Sequence, residues 1–96
     1  MLKFEDILRF EASGNYTDIF LVDGKKITSS KQIGVFEEML SPNLFFRVHQ
    51  SHIINLSKIK KYVGGGSPRV IFNEGTAVVV AIRRKEAFLE KVKSSK

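Results

Sequence analysis

The stretch Phe45-Phe46-Arg47-Val48-His49-Gln50-Ser51-His52-Ile53-Ile54-Asn55-Leu56 sets the terms for the whole chain. Two apolar runs of strand length, Phe45 to Val48 and Ser51 to Leu56, enclose a polar junction. Arg47, His49 and Ser51 alternate with Val48 and Gln50, so an extended backbone here places donors on one face. A surface that served only for packing would not crowd Arg, His, Gln and Ser together. Two uses fit such a crowd: contact with phosphates and base edges, or acid–base chemistry.

Upstream of this stretch the pattern is that of a β-meander. Leu8-Arg9-Phe10-Glu11-Ala12 alternates apolar and charged residues, as a half-buried strand does. Ser13-Gly14-Asn15 supplies turn chemistry, Tyr16 to Val22 reads as a second strand, Asp23-Gly24 as a tight turn, and Lys25 to Thr28 as a third strand. Between Ser29 and Leu40 the period changes. Ile33, Phe36 and Leu40 fall at i, i+3 and i+7, with Glu37 and Glu38 assigned to the opposite face and Ser29 or Ser30 available as cap. This predicts one short amphipathic helix packed on the sheet and stopped by Ser41-Pro42-Asn43.

Downstream, Ile59 to Val63 reads as a further strand. Gly64-Gly65-Gly66-Ser67-Pro68 is a flexible connection that lacks both the Lys-Ser/Thr ending and the following helix of a phosphate loop. Arg69 to Phe72 and Thr76 to Ile82 flank Asn73-Glu74-Gly75 as a hairpin, and Arg83 to Lys93 forms a closing helix with Phe88, Leu89 and Val92 on its buried side.

Bulk properties bound the possibilities. Ninety-six residues, 43% of them hydrophobic and eight of them Phe, make one small folded domain over residues 1–96. The absence of Cys removes disulfides and thiolate metal sites. The longest apolar run, Ala77 to Ile82, falls far short of the ~20 residues of a spanning helix, and the acids at Glu5 and Asp6 do not suit a secretory signal. The expectation is a soluble, cytoplasmic chain.

Net charge is +6 and unevenly placed. Residues 1–30 balance at −1, residues 31–63 at +3 and residues 64–96 at +4. Such asymmetry suits a polyanion partner. His49 and His52 lack a third metal ligand, and neither stands beside an evident nucleophile, so no cofactor, metal or enzymatic activity is expected.

Four segments in order resemble one known family, the LytTR domains. Arg47-x-His49-x-Ser51-x-x-x-Asn55, preceded by Phe46 and followed by the Ile59 strand, is similar to the central motif of that family. Asp6-Ile7-Leu8-Arg9-Phe10-Glu11-Ala12-x-Gly14-Asn15-Tyr16 resembles its opening strand and turn. Val70-Ile71-Phe72-Asn73-x-Gly75 and Ile82-Arg83-Arg84 resemble its late hairpin and final basic pair. The likeness runs from about Asp6 to Phe88. Gln50 stands where the family often carries a basic residue, and His52 where an aromatic is frequent.

The resemblance implies a mainly β fold: an elongated arrangement of small antiparallel sheets with one short central helix and a C-terminal helix. Loops, not a recognition helix, would enter successive major grooves of double-stranded promoter DNA. Asn15, Thr17, Gln50 and Arg83 would read bases, Lys31, Arg47, Arg84 and Lys85 would hold phosphates, and Ser51 would join the contact surface. His49 and Asn55 would pin backbone groups in the loops, and His52 would pack on the sheet with one ring nitrogen bonded. A second protomer on tandem repeats is implied, and an N-terminal receiver domain, if any, would lie outside this chain. The rival reading is a basic β module for RNA or an acidic protein. Such RNA readers display aromatic platforms, for which only Tyr16 and Tyr62 are placed here.

Overall fold

The computed structural model describes residues 2–94, as a central sheet covered on both faces. Five antiparallel strands form that sheet: β1 (Ile7–Ser13), β2 (Tyr16–Leu21), β3 (Lys26–Ser29), β4 (Phe45–His49) and β5 (His52–Asn55), in the order β3-β2-β1-β5-β4. A smaller antiparallel sheet holds β6 (Ile59–Val63), β7 (Arg69–Phe72) and β8 (Ala77–Val79) in sequence order. Helix α1 (Ile33–Met39) lies between β3 and β4, and α2 (Lys85–Ser94) closes the chain. The molecule measures 34 × 24 × 23 Å, longer in one direction as expected, and no helix among the described residues is long and apolar enough to cross a membrane.

The layers follow from strand parity, broken once by a register shift between Ile7 and Arg9 of β1 that sends Leu8 and Phe10 to opposite faces. Phe10, Ile19, Phe45 and Ile53 point to one face and bury themselves with Ile33 and Leu40 of the α1 region. Leu8, Val48 and Ile54 point to the other, against Val70, Phe72, Val78 and Val80 of the small sheet and Phe88 of α2. Phe72, Phe88, Val48, Ile54 and Val70 have no exposed surface. Each such side chain contributes about 1.5–3 kcal/mol by leaving water, which is why two thin sheets suffice to hold a chain of this size.

Turn chemistry sets the hairpins. Ser13 pairs with Tyr16, which leaves Gly14-Asn15 as a two-residue loop. Gly14 takes φ +60 at its first position, the place where a primed hairpin turn requires glycine, while Asn15 stays at negative φ. At the 73–75 hairpin the Gly75 N–H donates to the Phe72 carbonyl at 2.9 Å with Gly75 at φ +99.

Four expectations are corrected. Neither Ser29 nor Ser30 caps α1: the helix begins at Ile33 after Gln32 with no side-chain cap, and the Ser29 hydroxyl instead accepts from the Lys31 N–H at 3.2 Å. Glu37 does not belong to the face opposite the apolar stripe. It sits four residues after Ile33, one helical turn on, and turns toward the sheet to meet Arg47. The last strand is shorter than Thr76 to Ile82, because the chain leaves the small sheet after Val80 and the Ala81 N–H donates to Val48 of β4 at 2.8 Å. A 3-10 turn, Ile82–Arg84, then precedes α2, which starts at Lys85 and not at Arg83.

Candidate nucleic-acid interface

In an antiparallel sheet of this order the ends of β1, β3 and β4 share one end with the starts of β2 and β5. The turns Gly14-Asn15 and Gln50-Ser51, and the approach to α1 at Lys31, therefore come to the same end of the molecule. Backbone bonds hold them side by side. The Ala12 N–H donates to the Ser51 carbonyl at 2.9 Å, joining the first turn to the second. The Ala81–Val48 bond brings the 3-10 turn of Arg83 and Arg84 to that same end.

Arg47, His49, Gln50, Arg83 and Arg84 line a shallow cleft of about 530 Å³ there, with Glu37 as its one acid among the described residues. Within the cleft the basic residues divide into two kinds. Arg47 is committed to the fold: its guanidinium meets Glu37 at 2.7 Å and donates to the Gln50 carbonyl. Arg84 donates from Nε to the Arg47 carbonyl at 3.0 Å and lies 5.0 Å over the Phe46 ring. Arg83, in contrast, is exposed and makes no hydrogen bond or ion pair among the described residues. The side chains of Gln50, Asn15 and Lys31 are likewise exposed at this end. Fixed arginines build the frame, and free polar groups project from it.

The polar supports are visible in detail. Nδ1 of His49 accepts from the Ser51 N–H at 3.0 Å, fixing the β4–β5 turn and leaving its tautomer with the proton on the other nitrogen. A bulge between Arg47 and His49 shifts the register just before that turn, which re-aims the side chains beyond it. Asn55, 3% exposed, also holds backbone, but at the opposite end of the sheet. It donates to the Ile7 carbonyl at 2.8 Å and the Phe4 carbonyl at 3.4 Å, and accepts from the Ser57 N–H at 3.0 Å and the Ser57 hydroxyl at 2.8 Å.

Thr17 is the one base-reading candidate that the fold removes. It is fully buried, and its hydroxyl donates to the Lys31 carbonyl at 2.8 Å. Thr17 shares parity with Ile19 and Leu21, so the strand turns it inward, and its role is to position the Lys31 segment. Lys85 opens α2 half-exposed beside the cleft without lining it, and Ser51 is half-exposed with its backbone already bonded on both sides.

His52 departs from expectation in its bonding. Its ring lies 5.3 Å from that of His49, opposite Glu11 in the ladder, and its Nδ1 is buried with no hydrogen-bond partner. Burial pushes its pKa below the ordinary imidazole value. Nearby Glu11 opposes that shift, and His49 and Arg9 add to it. The residue that composition and spacing missed at the cleft is Glu37, whose place on the i, i+4 row from Ile33 was the available signal.

Fold and site together define a small β module with a basic face built from loops. The LytTr DNA-binding domain family model matches residues 1–93, and the chain belongs to the LytTR family of DNA-binding domains. The LytTr DNA-binding domain of a methyl-accepting/DNA response regulator from Bacillus cereus superposes with a TM-score of 0.86 at 22% identity, covering 95% of this chain and 84% of that one. Two curated relatives are the heme-containing CO-sensing transcriptional regulators RcoM 1 and RcoM 2 of Paraburkholderia xenovorans (strain LB400), 36% and 34% identical over 56 residues, or 58% of this chain. The chain spans 21% of the length of each of those relatives.

Proposed function

We propose that this domain binds double-stranded DNA site-specifically and serves as the output module of a transcription regulator. The observation that carries the reading is the convergence of three loops at one end of the sheet, where exposed Asn15, Gln50 and Arg83 project from a frame of committed arginines. Arginine pairs bidentately with guanine, and the Gln amide with adenine, while cations contact phosphates. Asn15, Gln50 and Arg83 read bases, and Lys31, Arg47, Arg84 and Lys85 position the backbone. Two protomers occupy imperfect repeats, one loop set per repeat, and a receiver or other sensing domain lies in sequence outside this chain. The short match to much longer transcriptional regulators supports the presence of such a further domain.

Against single-stranded RNA stands the placement of the tyrosines. Tyr62 packs half-buried on Phe88 with ring centres 5.8 Å apart, which leaves only Tyr16 exposed at the loop end, and one ring makes no stacking platform.

A salt titration on duplex DNA tests the reading. Four phosphate contacts per protomer predict log affinity falling against log salt with a slope of about −3 to −4. A selected duplex should be held ~10³-fold or more over random duplex. Equal competition by single-stranded RNA, or no preference between selected and random duplex, would overturn it.

A further inference from the structure

We propose that Ile82 is a specificity-determining residue that reads the C5-methyl group of thymine beside the base contacted by Arg83. The inference rests on the duplex-binding reading above and deepens it. Single exposed apolar side chains are ordinary on protein surfaces, so exposure alone says little. Ile82 differs in how its exposure arises. Val78 and Val80 are buried, and the parity of an extended strand would bury Ile82 with them. The chain instead bends at Ala81 to bond Val48, and the 3-10 turn swings Ile82 outward until it is 74% exposed, the most exposed large hydrophobic among the described residues.

That turn is held firmly. The Arg84 N–H donates to the Ala81 carbonyl at 2.8 Å, and the Arg84 side chain is bonded to Arg47 across the cleft. An apolar knob is thus fixed at the loop end, its Cα about 3.8 Å from that of Arg83. A β-branched side chain is stiff at χ1, so little freedom remains to be lost on contact. In the major groove the base edges offer donors, acceptors and one apolar group, the thymine methyl. An isoleucine held next to a base-reading arginine matches that group and no other feature of the edge.

The test uses duplexes selected by the chain from a randomised pool, with thymines replaced one at a time by deoxyuridine, which removes the methyl and nothing else. The wild-type chain is expected to lose about three- to tenfold in affinity at one or two positions neighbouring the Arg83 contact, the worth of about one to two buried carbons. Ile82→Ala should bind the thymine duplex weaker by the same factor and be indifferent to uracil at those positions. Ile82→Val should retain the discrimination. Equal losses on uracil substitution in wild type and Ile82→Ala would overturn the proposal while leaving duplex binding intact. Failure to enrich any duplex would overturn the duplex reading itself.

Discussion

The two layers that flank the central sheet share its support but differ in what they hold. On one face, α1 closes a core that steadies β1 and β2, the turn at Gly14-Asn15 and the Lys31 segment. On the other, the small sheet and α2 form a core around Phe72 and Phe88 that steadies the turn of Ile82 to Arg84. The loop end is therefore assembled from two cores and stitched by few bonds, chiefly Ala81 to Val48 and Arg84 to Arg47. The lesson is that β4 matters twice. Phe45 and Arg47 face the α1 layer, Phe46 and Val48 face the small sheet, and the strand delivers the Gln50 turn between them.

The strongest way to break this arrangement is Phe88→Ala. Phe88 is fully buried and touches the rings of Phe46 and Tyr62 at 5.9 and 5.8 Å, so its truncation should cost about 3–5 kcal/mol in urea unfolding. If the small-sheet core is only a cover, the loss will be well below that range.

Substitutions at Arg83 and Arg84 test the proposed division between reading and framing. Arg83→Ala should reduce affinity for a selected duplex by ~1–3 kcal/mol, relax specificity at one position and leave the unfolding midpoint in place. Arg84→Ala should weaken binding to every sequence and lower stability, since it unlinks the turn from β4. Identical profiles for the two variants in a duplex-panel titration would remove the distinction between free and committed arginines.

Glu37 gives a smaller effect of opposite sign. Its pair with Arg47 is partly exposed, a setting in which such pairs contribute about 0.2–1 kcal/mol. Glu37→Gln removes the acid lining the cleft and should tighten random-duplex binding up to roughly fivefold, with a steeper salt slope and less discrimination. Unchanged binding would mean that Arg47 serves only the fold.

The smallest effect concerns His52. Its folded pKa is lowered, so below the ordinary imidazole value the unfolded chain binds more protons than the folded one. Stability from this group is full above about pH 7 and is lost as pH falls through the lowered folded value. His52→Phe should flatten the pH dependence of the urea midpoint below about pH 7 relative to wild type. The same slope in both would show that other groups set it.

Much of the fold was legible because alternation at period two and the change of period at Ser29 to Leu40 are direct marks of local geometry. Parity also contained the fate of Thr17, which shares its face with Ile19 and Leu21; its hydroxyl made it look like a contact residue when it is a buried strut. Glu37 carries a charge that suggests the solvent face, while its position one turn after Ile33 turns it toward Arg47. The bulge at Arg47–His49, the bend at Ala81 and the unpartnered Nδ1 of His52 left no local pattern, since each depends on what two distant segments do when they meet. The loops were recognisable as separate candidates from their motifs, but their shared end comes from the strand order β3-β2-β1-β5-β4, which no single segment encodes.

On the proposed function, duplex DNA meets the end of the molecule where the three loops converge. Titrating a selected duplex into isotopically labelled chain, with backbone amide shifts followed residue by residue, tests it most directly. The largest shifts are expected at Gly14-Asn15, Gln50-Ser51 and Ala81 to Lys85, with little change at Asn43, Leu44 and Leu56, which lie at the far end of β4 and β5. Shifts concentrated at that far end, or along Lys60, Lys61 and the outer turns of α2, with the three loops unmoved, would contradict it.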